Sequence, residues 1–368
     1  MSNAFPDLVR AAALDGQGTL RAAARLISIL TDHPSRLPEL FRAAAALPDL
    51  DPARLTLPRM LVGITGAPGS GKSTLADALV REMRRRHPDR RVGVIAVDPS
   101  SPFTGGAVLG DRVRMTRHAT DPMVFVRSMA TRGHLGGLAL GVKGAVRVMG
   151  LIGCDTVLIE TVGVGQSEVE VAGVADLVMI VFAPGQGDSI QLLKAGLMEI
   201  GDLFVVNKAD RPGAEQLHGD LLAMLRASQA DPTGHHGDLA AQSEEGDIAP
   251  WLSRRPGTLL EPETFLVSAE QGRGVADLAA DLDRLADHHA AVWQRQRRES
   301  IEDQVREAVL EEATRRLRDA QQRLDSARGS AAAILGGASS VEEAAGQLLA
   351  ATVAGARQAT ARRPPSGS

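Results

Sequence analysis

The feature that most constrains this chain is the nonapeptide Gly66-Ala67-Pro68-Gly69-Ser70-Gly71-Lys72-Ser73-Thr74. It lies between an apolar run, Met60–Thr65, and a stretch of helical period, Lys72–Arg86. Glycines in a strand-to-helix turn let successive backbone N–H groups face inward, and the helix N-terminus adds positive potential, so the turn is built to cradle phosphates. Lys72 is placed to reach the β- and γ-phosphates, and Ser73 to ligate Mg²⁺.

Further short apolar runs follow at Val92–Val97, Met123–Val126, Thr156–Ile159, Leu177–Phe182, Leu203–Val206 and Phe265–Val267. They are continuous rather than alternating, as strands covered on both faces are. Helical stretches such as Lys72–Arg86 and Leu138–Leu151 separate most of them, which predicts an α/β fold of the P-loop NTPase kind, a mostly parallel central sheet covered by helices. Four segments are expected: an N-terminal helical segment over 1–56, the P-loop domain over 57–290, a C-terminal helical arm over 291–356 and a disordered tail over 357–368. Leu20, Ala24, Ile27 and Leu30 share a helical face in the first segment. In the arm, Ile301, Val305, Val309, Ala313, Leu317, Ala320 and Leu324 recur at steps of four or three. This stripe suits either packing on the domain or dimerisation. Residues 230–250 read as a polar, Gly-rich insertion.

Composition narrows the class. The chain has 368 residues, 44% hydrophobic and 23% charged, with net charge −4. That balance does not suggest wholesale binding to nucleic acid or to an anionic membrane. The apolar runs are strand-sized, too short to span a bilayer. Cys154 is the single cysteine, which excludes an internal disulfide and fits a cytoplasmic protein. Of 41 Lys plus Arg only Lys72, Lys143, Lys194 and Lys208 are lysines, and two of these fall in nucleotide motifs.

Asp98 ends the run Val92–Val97, at the edge where a parallel strand directs a carboxylate toward a ligand crevice; a turn or cap role is the alternative. Asp111 lies in a Gly-rich loop, Gly105 to Arg112. Glu160-Thr161-Val162-Gly163 follows the strand Thr156–Ile159 and fits a Walker B strand, its acid on Mg²⁺ through water and the Gly163 N–H on the γ-phosphate. Glu stands here where most GTPases carry Asp. Asn207-Lys208-Ala209-Asp210 follows Leu203–Val206 and is the guanine-reading motif. Asp210 can accept from guanine N1–H and its amine together, Asn207 can donate to the base, and the stem of Lys208 can lie across it. Ser268-Ala269, after the next core strand, suits a loop whose backbone N–H meets guanine O6.

With Arg127-Ser-Met-Ala-Thr-Arg-Gly-His-Leu-Gly136, Glu160 to Glu168 and Pro184-Gly-Gln-Gly-Asp188 to Lys194 added, the sequence resembles the GTPase chaperones of adenosylcobalamin-dependent acyl-CoA mutases, the methylmalonyl-CoA mutase-associated MeaB/ArgK type. The resemblance spans about residues 55–270. It implies a homodimeric GTPase that binds GTP or GDP, with Mg²⁺ held by Ser73 and with Asp98, Asp111 and Glu160 nearby. It implies a mobile switch around Gly185–Lys194, in which Asp188 and Lys194 are candidate catalytic residues beside Lys72 and Glu160. The implied partner is the mutase, with the chain gating cobalamin delivery and the removal of inactivated cofactor. Gln166 is a candidate for positioning water, although Val164, not a Gln, follows Gly163. His134 suits a structural or partner-contact role. A nickel metallochaperone would want a Cys/His cluster, and a P-loop kinase would not want the guanine-reading motif. A switch that binds without turnover is the remaining alternative.

Overall fold

The six residues Met60 to Thr65 are all buried, which requires a strand covered on both faces. The computed structural model describes residues 5–14, 16, 18–51, 54, 57–99, 116–118, 120–131, 137–161, 173–185, 200–230, 263–326, 340, 343 and 346. Three helices come first: α1 (Phe5–Ala13), α2 (Thr19–Asp32) and α3 (Leu37–Ala45). There follow β1 (Met60–Thr65), α4 (Lys72–Arg86), β2 (Arg91–Pro99), β3 (Val124–Thr131), α5 (Gly137–Leu151), β4 (Cys154–Thr161), β5 (Leu177–Phe182), β6 (Leu203–Val206), α6 (Ala214–Ala230), β7 (Glu263–Leu266) and α7 (Val275–Ser326). One 3₁₀ turn, Pro34–Arg36, lies between α2 and α3, and another, Thr116–His118, precedes β3.

The strands form one sheet in the order β3-β2-β4-β1-β5-β6-β7. Every pair described is parallel. The apolar runs locate all seven strands, and the ladder corrects their ends. β3 continues past Val126 through Arg127 and Ser128, because its backbone stays paired with β2 as far as Pro99↔Thr131. Polarity ended the apolar run there but not the hydrogen bonding. β7 starts two residues before the predicted Phe265 and is half-buried throughout, as an edge strand is.

Side chains alternate across the sheet. Leu61, Ile95, Val97, Val157 and Ile159 join one cluster with α5 and the N-terminal helices, including Leu26, Ile27, Leu30, Val142 and Met149. The residues between them, among them Ile64, Ala96 and Glu160, fall on the other face; α4 contacts β1, β2 and β4. At the far end, Phe182 and Phe204 stack at 6.5 Å between centroids inside a second cluster with α6.

The chain divides into two compact units, Met1–Ala290 and Ala291–Ser368. The last helix begins at Val275, ahead of the arm expected from residue 291. Of its expected apolar stripe, Val309 is 61% exposed. Among the described residues no helix is long and apolar enough to cross a membrane.

Candidate functional site

β1 delivers the chain to the C-terminal edge of the sheet, where Gly66 takes φ +138°. A Cβ at Gly66 would sit 2.2 Å from the carbonyl oxygen of Val181 in β5, so only glycine lets the turn leave the sheet here. Gly71 caps α4 at φ +91°, and a Cβ there would meet the Asn207 amide nitrogen at 2.4 Å. With no acid in its first turn and Arg84, Arg85 and Arg86 in its last, α4 keeps its positive N-terminal end for a ligand.

Lys72 is buried and its ammonium donates to the carbonyls of Gly66 at 2.7 Å and Ala67 at 3.0 Å, folding the turn back on itself. Ser73 Oγ donates to Glu160 Oε1 at 2.5 Å. Glu160 is 1% exposed, flanked by Ile64 in β1 and Ala96 in β2. A hydroxyl and a carboxylate converging beside the phosphate turn are the hard oxygen donors that Mg²⁺ takes, so these residues fit that ion. There Mg²⁺ would supply charge neutralisation for phosphate oxygens.

The second loop follows β6. Asn207 is 2% exposed and its side chain bonds at both ends. Nδ2 donates to the Ser70 carbonyl at 2.9 Å and to Gly71 O at 3.4 Å, while Oδ1 accepts from the Ala269 N–H at 3.1 Å. Both the Asn207 amide and the Ala269 N–H, in the loops expected to meet the base, thus have partners within the protein. Lys208 adopts φ +60°, rare for a side-chain-bearing residue, and its Nζ donates to Gly69 O at 2.6 Å. Its stem therefore runs from the base loop to the phosphate turn.

Ser268 is fully buried and its Oγ donates to Asp210 Oδ1 at 2.5 Å. Asp210 itself is exposed. The Ser268 hydroxyl, with the residue's own N–H and the charges of Arg211 and Lys208, holds its carboxyl below the usual carboxylate range. It is thus an anion aimed and ready to accept from a base.

Of the predicted site, the structure brings together Gly66, Ala67, Gly69, Ser70, Gly71, Lys72, Ser73, Glu160, Asn207, Lys208, Asp210, Ser268 and Ala269. Pro68 lies in the same turn, and Thr74 is exposed on the first turn of α4. The backbone of Asp98 is in β2. Its side chain, together with Asp111, Gly163, Gln166, His134, Asp188, Lys194 and residues 231–250 of the expected 230–250 insertion, falls outside the described residues. Asp77, His118 and Arg81 were not anticipated. His118 and Asp77 are 41 residues apart in sequence, so no local pattern announces their contact.

The model of one family, methylmalonyl Co-A mutase-associated GTPase MeaB, matches residues 53–322, spanning the phosphate turn, Glu160 and the base loop. The chain belongs to the MeaB family. A Pyrococcus abyssi protein named as a GTPase is 52% identical to this MeaB-family chain over 205 residues, 56% of the chain and 60% of that protein. The mitochondrial methylmalonic aciduria type A homolog of Caenorhabditis elegans is 42% identical over 170 residues, 46% of the chain and 40% of that protein. The chain thus spans about 60% or less of the length of these relatives. The crystal structure of a LAO/AO transport system kinase shares the fold, with a TM-score of 0.56 at 22% identity over 95% of this chain and 97% of that one.

Proposed function

We propose that the chain is a Mg²⁺-dependent GTPase that acts as a chaperone of an adenosylcobalamin-dependent acyl-CoA mutase of the methylmalonyl-CoA type, gating cofactor delivery and removal. The observation that carries the nucleotide half is the joining of two loops from different strands. Asp210, oriented by Ser268, is tied through Asn207 to the turn that holds the phosphates. A carboxylate there accepts from the N1–H and amine of guanine, whereas adenine presents an acceptor and leaves it unpaired. Membership in the MeaB family and likeness to a methylmalonic aciduria type A homolog support the mutase half.

On this reading the backbone of Gly66–Thr74 and Lys72 hold the phosphates, Ser73 and Glu160 hold Mg²⁺ with Asp98 and Asp111, and Gly163 donates to the γ-phosphate. Asp188 and Lys194 belong to the segment that answers the partner. The chain works as a homodimer in the cytoplasm, joined through the helix that ends at Ser326.

Nucleotide affinities of the parent and of Asp210→Asn test the first half. The parent should prefer GTP to ATP by ~10⁴, and the variant should turn to xanthosine triphosphate, which carries a carbonyl where guanine has its amine. Equal GTP and ATP affinities in the parent would end the reading. Single-turnover hydrolysis with and without the mutase tests the second half; a rate indifferent to the mutase, together with no co-purification, would remove the chaperone role.

A further inference from the structure

Asp77 and His118 are buried, each 8% exposed, and no step above uses them. His118 Nε2 donates to Asp77 Oδ1 at 3.0 Å. Asp77 stands one helical turn after Ser73 on the same face of α4. Arg81, a turn further on, reaches Asp77 Oδ2 at 3.6 Å but is half exposed. Arg84 then bonds Asp121 at 3.0 Å. His118 and Asp121 therefore both fasten to α4, one at a near point, Asp77, and the other at a far point, Arg84.

Those fastenings differ in what they can do. The far one is partly exposed and three turns from the phosphate turn. The near one is buried, and a buried polar pair adds little stability over an apolar pair of the same shape, so what it offers is a fixed geometry. One turn nearer the phosphate turn, on that same face, Ser73 Oγ bonds Glu160 at the end of β4. The first two turns of α4 are thus held at successive points, by β4 through Ser73 and by the approach to β3 through Asp77.

We propose that His118 and Asp77 are positioning residues for the metal side of the phosphate site. By fixing the rotation of the first turn of α4, they set where Ser73 presents its hydroxyl. This rests on the reading of Ser73 as the Mg²⁺ ligand. Groups that orient a metal ligand are worth about 10- to 100-fold in metal affinity when removed. Phosphate contacts by Lys72 and the turn's backbone do not depend on that rotation in the same way, so the two can be separated.

The experiment uses full-length protein and a fluorescent GDP, titrated with Mg²⁺ and, separately, in EDTA. In His118→Leu the Mg²⁺ concentration for half-maximal tightening should rise about 10-fold or more, while affinity in EDTA stays within about twofold of the parent. His118→Gln, whose amide can donate in place of Nε2, should recover most of the shift. Asp77→Asn keeps the shape and weakens the bond, and should shift the curve in the same direction. Asp121→Ala removes the far fastening to Arg84, together with the turn bond from the Met123 N–H, and should leave the Mg²⁺ curve in place. The proposal is overturned if His118→Leu and Asp77→Asn titrate like the parent, if EDTA affinity falls as far as Mg²⁺ affinity, or if Asp121→Ala reproduces the shift. A parent whose nucleotide binding ignores Mg²⁺ would overturn it too, and with it the Mg²⁺ reading under Proposed function. A Mg²⁺-dependent parent with unshifted variants overturns this proposal alone.

Discussion

The side-chain amide of Asn207 donates to the backbone carbonyl of Ser70 at 2.9 Å, bridging 137 residues of sequence. With the Ala269 N–H on its other end, that one amide joins the phosphate turn, the loop after β6 and the loop after β7. Both partners of the amide are backbone groups of the protein, so the recognition loops are joined to each other directly.

Asn207→Ala should therefore lower stability in the absence of nucleotide. It leaves the Ser70 carbonyl and the Ala269 N–H without this partner in a buried setting, a loss of ~2–4 kcal/mol. In a domain of this size that is a fall in melting temperature of about 5–10 °C, with weaker GDP binding on top. Asp210→Asn, at an exposed position, should leave the nucleotide-free melting temperature unchanged. If the two variants melt alike without nucleotide, Asn207 is a base contact and not a latch.

Gly66→Ala should disrupt the phosphate turn at its first residue. The new methyl would lie 2.2 Å from a backbone carbonyl of β5, and φ +138° is strained for any L side chain. Relief requires moving β5 or the turn, at a cost on the order of 3 kcal/mol. Loss of measurable GTP binding with secondary structure retained by circular dichroism is the expected result. Parent-like binding would mean the turn is wider than described.

At the opposite edge of the sheet, Asp283 on α7 receives His87 at 2.8 Å, Arg86 at 3.0 Å and Arg59 at 3.3 Å. Burial pushes its carboxyl up, but the hydrogen bonds and charges of His87 and Arg86 outweigh this and hold it below the usual carboxylate range. A carboxyl lowered on folding adds stability that is full above its unfolded pKa, ~4, and fades as pH falls through the folded value. Asp283→Asn should therefore cost about 2 kcal/mol at pH 7, with a gap that narrows steadily below pH 4. Urea midpoints across that range would show it; a gap independent of pH would point to packing rather than charge.

Cys154 opens β4 beside Arg91, and burial pushes its thiol up to about 12. The thiolate is the reactive form, so native protein at pH 8 should be inert to a disulfide reagent and react only on unfolding. Stoichiometric labelling of the native chain within minutes would contradict the burial.

The phosphate turn and its two flanking elements were legible because their signals are local: an apolar run, glycines and a helical period lie within 27 residues, Met60 to Arg86. β1, α4, β5 and β6 begin and end at the predicted residues for that reason. β3 was read short because Arg127 and Ser128 break its apolarity while the ladder to β2 continues. The early start of α7 was available: Leu278, Leu282 and Leu285 recur at helical spacing and are buried, but the charged stretch after Val292 drew the boundary later. The double use of Asn207 was not legible. A motif tells which residues meet near a ligand but not which of their atoms the protein has already taken. The same holds for His118 and Asp77, which only the fold brings together.

The N-terminal helices carry a consequence for how the molecule can be cut. Residues 53–322 are what the family shares, and a cloner guided by that boundary would begin at the first strand. Yet Ala23, Leu26, Ile27 and Leu30 of α2 lie in the same cluster as Val142, Ala145 and Met149 of α5, and a Cβ on Gly144 would come within 3.3 Å of Leu30. Removing residues 1–56 would turn that side of α5 into a wide greasy surface in water, the kind that drives clumping. The shortest stretch that carries the nucleotide chemistry and the shortest stretch that stays in solution are therefore different lengths, and an expression fragment should be drawn to the second.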